Sequence, residues 1–347
     1  NWGKIRGSYG KSGQTFTSAY LAHGLMNIMD KSFFGKTGIT TDKPVSPYLT
    51  WEKTRQYDLG LDMDMFNYRL NVKLDYYYKY TSSLIYDIPI PGSLYAFGAQ
   101  VENAMEISNE GLELELQADI LRESAVSWRM KFNMARNWNR FEKSYSGKDV
   151  VDGDGTLLVV GRPLNGLYVW AHRGYYNSDA EVPRLYKIDG QEIYFNGVAT
   201  NGISGAVGDY RLLDLDGDGN PDSYYAGSPL PLAHGGWVNE LMWKNFDLNV
   251  LVNFTIGRKM INNRMGLGFS RQSEDGHLTK LFDYRKLRPW DGVNKKPNAP
   301  AWGNSLSMNT DSAIEKVHHL ALKQITLGYN LPDRISKKAG LSGVRFF

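Results

Sequence analysis

The chain has 347 residues, a formal net charge of +3 and no cysteine. Disulfides and thiolate metal sites are excluded, the strongly basic surface that a nucleic-acid partner needs is missing, and no apolar run reaches the ~18–20 residues of a membrane-spanning helix. A mean hydropathy of −0.43 does not exclude a membrane β-barrel, whose strands hide a lipid face by alternation, and the 22 Tyr and 9 Trp suit interfacial girdles as well as a carbohydrate-binding surface.

In chain order, residues 1–10 alternate loosely, with Ile5 and Tyr9 against Lys4, Arg6 and Ser8. Residues 11–50 carry Gly, Ser, Pro and Thr punctuation and predict a long connection. Residues 54–66 and 69–81 predict a hairpin. In its first arm Tyr57, Leu59, Leu61, Met63 and Met65 alternate with Asp58, Gly60, Asp62 and Asp64. In its second, Leu70, Val72, Leu74, Tyr76, Tyr78 and Tyr80 alternate with Asn71, Lys73, Asp75 and Lys79. A strand turns successive side chains to opposite faces, so each arm has one apolar and one polar face. Both arms reach the ~9–11 residues that cross a bilayer at a tilt, beyond the usual ~5–6 of a soluble strand.

Residues 82–107, with Pro89 and Pro91, predict a second long connection. Residues 108–121 alternate most cleanly, with Leu112, Leu114, Leu116, Ala118 and Ile120 opposite Glu113, Glu115, Gln117 and Asp119. After a turn near Arg122 to Ser124, residues 125–138 alternate again, Val126, Trp128, Met130, Phe132 and Met134 opposing Ser127, Arg129, Lys131 and Asn133. Residues 235–243 and 246–257 predict a further hairpin turning at Lys244–Asn245. Residues 317–330 predict a strand whose apolar phase switches between Leu320, Leu322 and Ile325, Leu327, Tyr329, as a bulge or double-sided burial would cause. Between 138 and 235 either no strand or two must cross, and residues 161–173 are a candidate without a mate.

Short turns at one end of each hairpin and long connections (11–50, 82–107, 174–233 and 258–316) at the other fit an outer-membrane barrel with its long loops outside. A soluble β-sandwich also alternates, but with shorter strands and closer turns. All of 1–347 reads as part of one all-β, antiparallel barrel domain.

Several segments resemble the SusC/RagA family of TonB-dependent outer-membrane transporters: IRGSYGKSG at 5–13, WEKTRQYDLGLD at 51–62, NYRLNVKLDYYYKYTSSLI at 67–85, NEGLELELQAD at 109–119, GRPLNGLYVW at 161–170, GDYRLLDLDGDGNPD at 208–222, KNFDLNVLVNFTIGR at 244–258 and LKQITLGYNLP at 322–332. The resemblance covers nearly the whole chain and implies the later part of a barrel of about 22 strands, with the TonB box, plug and first strands lying outside this sequence. It implies import of oligosaccharides or peptides across the bacterial outer membrane, contact with outer-membrane lipid, a SusD-like surface lipoprotein as lid, TonB acting through an N-terminal segment, and no enzyme activity; it allows a dimer of transporter–lipoprotein pairs. A secreted all-β glycan-binding module with a loop calcium, or a passive porin, are the alternatives.

The sharpest local motif is Asp214, Asp216, Asp218, Asn220 and Asp222. Alternating carboxylates followed by Gly suit calcium, but Tyr225 stands where an EF-hand needs Glu, so a shorter loop site or an ion-free acidic turn remains. Asp152 and Asp154 offer too few ligands. His318 and His319 are adjacent and face opposite ways on a strand, and no catalytic residue emerges. Glu113 and Glu115 fit a lumen wall better than a glycosidase pair. Trp128, Trp138, Trp237, Trp243 and Tyr76 to Tyr80 read as a headgroup belt, and Tyr175, Tyr176, Tyr224, Tyr225, Trp290 and Trp302 as candidates to meet substrate or a partner. Substrate-binding residues are not legible.

Overall fold

The computed structural model describes residues 1–15, 26–33, 35–41, 44, 46–91, 98–151, 157–182, 184–186, 192–194, 207–217, 222–262, 288–293, 296–301, 310–338 and 340–347. The chain divides into two compact units. The first holds most of a nine-stranded sheet in strict sequence order. Its strands are β1 (Trp2–Gln14), β2 (Glu52–Met65), β3 (Leu70–Pro89), β4 (Ala99–Leu121), β5 (Val126–Lys143), β6 (Ala233–Trp243), β7 (Phe246–Ile261), β8 (Ile314–Asn330) and β9 (Arg345–Phe346). The order is that of an up-and-down barrel wall, with β1 and β9 at the edges.

The short turns share one chemistry. Hairpin turns that follow strand twist need positive φ, and each supplies it from a residue other than glycine. Phe66, Asn67 and Tyr68 have φ of 54°, 55° and 60°, Glu123 has 64° and Lys244 has 52°. The first turn is closed by Arg69 N–H donating to the Met65 carbonyl at 3.1 Å. The connection from β8 to β9 holds a short helix, α1 (Asp333–Lys338), that alternation could not predict.

One register runs unbroken through the middle of the sheet. Leu61 faces Leu74, Leu74 faces Leu114, Leu114 faces Met134, Met134 faces Gly235 and Gly235 faces Phe254. The apolar and polar phases of the sequence therefore become two continuous faces. Many apolar-face side chains stay open, Leu59 at 57% and Leu327 at 60%, where a sandwich would have covered them with a second sheet.

Three expectations change. Residues 82–107 are largely strand. β3 continues to Pro89 and pairs with β4 from Ala99, and bulges between Thr81 and Leu84, Leu84 and Ile85, and Glu106 and Ile107 break the alternation that would have signalled it. Asn103 pins the first bulge by donating to the Ser83 carbonyl at 2.7 Å. Beyond the bulges Met105, Phe141 and Leu158 form a small core with Leu84, Tyr86 and Ile107 packed against it. Within the connection of 11–50, β1 runs to Gln14 and Met26–Phe33 pairs with Lys36–Thr41. Among the described residues, no strand between β5 and β6 joins the sheet, because β5 pairs directly with β6. Residues 161–173 instead supply two short strands, Leu167–Trp170 and His172–Tyr175, to separate two-stranded pairs.

The phase of β8 is clear at one end. A Cβ on Gly328 would meet Asp247 of the polar β7 face at 2.5 Å, and Gln324 donates to Thr326 at 2.8 Å. These even positions share the polar face, which leaves Ile325, Leu327 and Tyr329 on the apolar one.

The second unit comprises Gly166–Pro229 and Lys259–Val317. Leu167–Trp170 pairs with Ser223–Gly227, His172–Tyr175 with Tyr210–Leu212, and Arg184–Tyr186 with Glu192–Tyr194. Val169, Ala171, Tyr176, Ala226 and Thr310 are buried in it.

Candidate functional site

The polar face of the sheet is a ladder of cross-strand pairs. Lys73 meets Glu115 at 3.4 Å, Arg129 meets Asp119 at 2.6 Å and Lys131 meets Glu240 at 2.8 Å. Asn71 donates to Asp64 at 2.6 Å, and Asn139 to Asn109 at 2.7 Å. These half-open pairs contribute little to stability each. What they make is a wall that presents both signs of charge and amides to water. A hollow of about 310 Å³ on it is lined by Lys73, Glu115, Lys131, Asn133, Gly236 and Asn253 among others. Glu115 is thus engaged by Lys73 in the ladder, as a lumen-wall residue would be.

Among the described residues three pairs reach across an intervening strand, and each crosses it at a glycine. Arg6 of β1 passes over Gly60 of β2 to Asp75 of β3 at 2.8 Å, while also holding Asp62. A Cβ on Gly60 would lie 2.6 Å from the Arg6 guanidinium carbon. Tyr77 of β3 lies across Gly111 of β4, and its hydroxyl donates to Asn137 of β5 at 3.1 Å. A Cβ on Gly111 would sit 2.4 Å from that ring. Arg345 of β9 reaches Asp247 of β7 over Gly328 of β8. Gly60, Gly111 and Gly328 stand in three of the segments on which the resemblance rests, and a missing side chain is what lets the wall be cross-braced.

The apolar face carries aromatic rows at two levels. Trp128 pairs with Leu121 and Leu241, and Trp138 with Glu110 beside Tyr78 and Tyr57. Ten residues separate the two tryptophans, ~34 Å along a strand and ~25 Å high at a barrel's tilt, the height of an outer-membrane apolar band. Trp243, against Phe246 at the turn, belongs to the lower level. Two belt expectations need correction. Trp237 pairs with Phe132, midway between the girdles, and packs on Phe254. Tyr77 points to the polar face, because alternation turns it opposite to Tyr76 and Tyr78.

In the second unit, Asp214, Asp216 and Asp222 bring carboxylate oxygens within 4.8 Å of one another. Asp218 and Asn220 lie outside the described residues, as do Asp152 and Asp154. Asp222 accepts from Leu215 N–H at 2.5 Å and Asp216 N–H at 3.2 Å, and Asp214 accepts from Gly217 N–H at 2.6 Å. The all-oxygen donor set suits a hard cation, and the loop is also closed by its own backbone. Tyr225 packs its ring on Tyr168 at 5.7 Å.

The loop aromatics build a core more than a display. Tyr175 stacks on Tyr210 at 5.4 Å, and His172 meets Tyr210 edge-on at 4.6 Å. Burial raises the phenol pKa of both tyrosines. Asp311 binds the His172 ring and accepts from the Tyr224 hydroxyl at 3.4 Å. Trp290 donates to Asn177 at 3.2 Å; Trp302 lies outside the described residues. Sequence reasoning missed the His172–Asp311 pair because 139 positions separate the partners.

Residues 1–226 match the family described as TonB dependent receptor-like, beta-barrel. Among curated proteins, TonB-dependent receptor P26 of Formosa agariphila is 30% identical over 99% of this chain and 34% of its own length. TonB-dependent receptor SusC of Bacteroides thetaiotaomicron is 25% identical over 95% of this chain and 32% of its own length. The RagAB peptide importer in an open-open state superposes with a TM-score of 0.74 at 22% identity, covering 99% of this chain and 35% of that one. The chain spans about a third of the curated relatives it matches.

Proposed function

Because the chain belongs to the TonB-dependent receptor-like β-barrel family, we propose that it forms the later wall of an outer-membrane barrel that imports oligosaccharides or peptides. The observation that carries this reading is the two-faced sheet: an apolar band ~25 Å high between aromatic rows, backed by a cross-braced polar wall. The long connections face the cell exterior, a SusD-like surface lipoprotein closes the barrel from outside, and TonB acts through a plug contributed by the rest of the protein. The likeness to SusC and to the RagAB importer supports these assignments. The wall's mixed charges and amides suit polar solutes. The family is one of receptors rather than enzymes.

In the same reading Asp214, Asp216 and Asp222 hold a calcium ion that stiffens their loop. Chelator then speeds proteolysis within 208–222 and added calcium reverses it; equal rates with and without calcium refute the ion. The transport reading is tested by native mass spectrometry of the detergent-extracted complex, followed by uptake of glycans and peptides into cells lacking and regaining the gene. A lipoprotein companion and uptake of either class support it. A protein that stays in solution without detergent and has no companion refutes it.

A further inference from the structure

On the lipid-facing phase, three rows rise through the upper girdle. Leu59, Tyr76, Leu112 and Arg136 form the first, Tyr57, Tyr78, Glu110 and Trp138 the second, and Arg55, Tyr80, Ser108 and Arg140 the third. Arg136 and Arg140 therefore flank Trp138 on one strand face, one at the top of the apolar band and one above it. Both are exposed. The Arg136 guanidinium lies over the Trp138 ring, 4.6 Å from its centroid, which carries the charge up toward headgroup level. Arg55 lies in the row of Arg140, and Lys11 of β1 pairs with Arg55, so the upper row is cationic at both ends.

Carboxylates stand nearby but are held by hydroxyls. Glu110 accepts from Tyr76 at 3.0 Å, Glu142 from Ser108 at 2.5 Å, and Glu106 from Tyr80, with Lys143 3.9 Å from Glu106. Among the described residues none of them pairs with Arg55, Arg136 or Arg140 within 4.0 Å. A cation on the lipid face without a protein counter-charge is costly unless something outside the protein supplies one. Guanidinium forks match phosphate oxygens two at a time, and clustered basic residues at a membrane interface attract anionic lipid.

We propose that Arg136 and Arg140, set around Trp138, form a docking site for the phosphate of an anionic outer-leaflet lipid. The indole packs against the acyl–headgroup boundary, Arg136 reaches the phosphate from below and Arg140 from above. The inference rests on the lipid-facing assignment of these rows and not on what is transported, so uptake could fail and the site still stand.

The test uses the full-length transporter that carries this segment, delipidated in detergent and examined by native mass spectrometry. The probes are bisphosphorylated lipid A, its dephosphorylated form and inorganic phosphate. The wild type is expected to retain the bisphosphorylated lipid over the dephosphorylated one by about tenfold or more, a step of one decade in affinity. The R136Q/R140Q double variant is expected to lose that preference while K131Q, on the opposite face, keeps it. Equal retention of both lipids by the wild type overturns the proposal without recourse to any variant. So does a double variant that keeps the preference, or inorganic phosphate that displaces the lipid at equal concentration.

Discussion

Leu114 and Glu115 are neighbours in the chain and lie in different solvents. Leu114 sits in an unbroken apolar row from Leu61 to Phe254, while Glu115 pairs with Lys73 of the next strand on the polar wall. The apolar face is fixed by residue type alone, since any large apolar side chain satisfies a lipid contact. The polar face is fixed by reach, since Arg6, Tyr77 and Arg345 each bond over a strand that must offer a glycine. Tolerance should therefore differ between the faces in kind: the outer face rejects charge, and the inner face rejects bulk at its glycines.

The largest effect is expected from breaking the outer face. Leu114→Arg should lower the stability of the complete barrel by ~2–4 kcal/mol, as for arginine near a bilayer midplane, measured by urea titration of the folded barrel in vesicles. Glu115→Leu beside it should change stability by less than ~1 kcal/mol, because a half-open ion pair contributes little. Equal losses would erase the distinction.

The inner face is tested at Gly111. Gly111→Val drives a side chain into the Tyr77 ring and should cost ~1–3 kcal/mol, the usual penalty of overpacking. In a Tyr77→Ala background the same substitution should cost less, and that coupling in a double-mutant cycle is the signature of the crossing; additive losses would refute it. Gly60→Ala should cost less than the Gly111 change, because the neighbours it meets are the side-chain ends of Asp75 and Arg6 rather than a ring.

A smaller gain is expected at a turn. Lys244 has φ of 52°, and Lys244→Gly should stabilise the barrel by ~0.5–1 kcal/mol, the left-handed penalty of ~1–2 kcal/mol less glycine's greater loss of backbone freedom. No gain in the same urea titration would mean that the turn is relaxed as it stands.

The smallest effect concerns the second unit. Burial holds the Tyr175 and Tyr210 phenols above their ordinary value of 10.0. The folded state therefore keeps protons that the unfolded chain releases above about pH 10. The stability these groups contribute is complete below that pH and falls as pH rises through the folded values. Proteolysis of 166–229 should be constant near neutrality and quicken only in strong alkali; a change near pH 7 would contradict the assignment.

The strand–turn pattern over 54–81, 108–138 and 235–257 was legible because each arm alternates across most of the bilayer, with one register shift, between Asp119 and Leu121, close to a turn. The extension of β3 and β4 beyond Thr81 was not, because Ser83 at φ of 59° and the bulges around it shift the phase within a few residues. The polar phase was legible in Glu113, Glu115 and Gln117, but its bracing was not. That Gly111 makes room for Tyr77 depends on the register between β3 and β4, which no single segment encodes. The second unit was the least legible. Its strands are three to five residues long, and its buried pairs, such as His172 with Asp311, join distant positions, so Tyr175 and Tyr225 read as display surfaces when they pack against Tyr210 and Tyr168.

The most direct measurement uses site-directed labels in this chain, which has no cysteine of its own, with any cysteine elsewhere in the full-length protein replaced by serine. Single cysteines placed in turn at Leu112, Glu113, Leu114, Glu115, Leu116 and Gln117 of the full-length barrel in vesicles would carry a nitroxide label, and its collision rates with oxygen and with a water-soluble nickel complex would be read by electron spin resonance. The account predicts strict alternation, with oxygen reaching the even positions and nickel the odd ones, and the oxygen signal greatest at Leu114 and Leu116. Nickel access at all six positions, or no alternation, would contradict it.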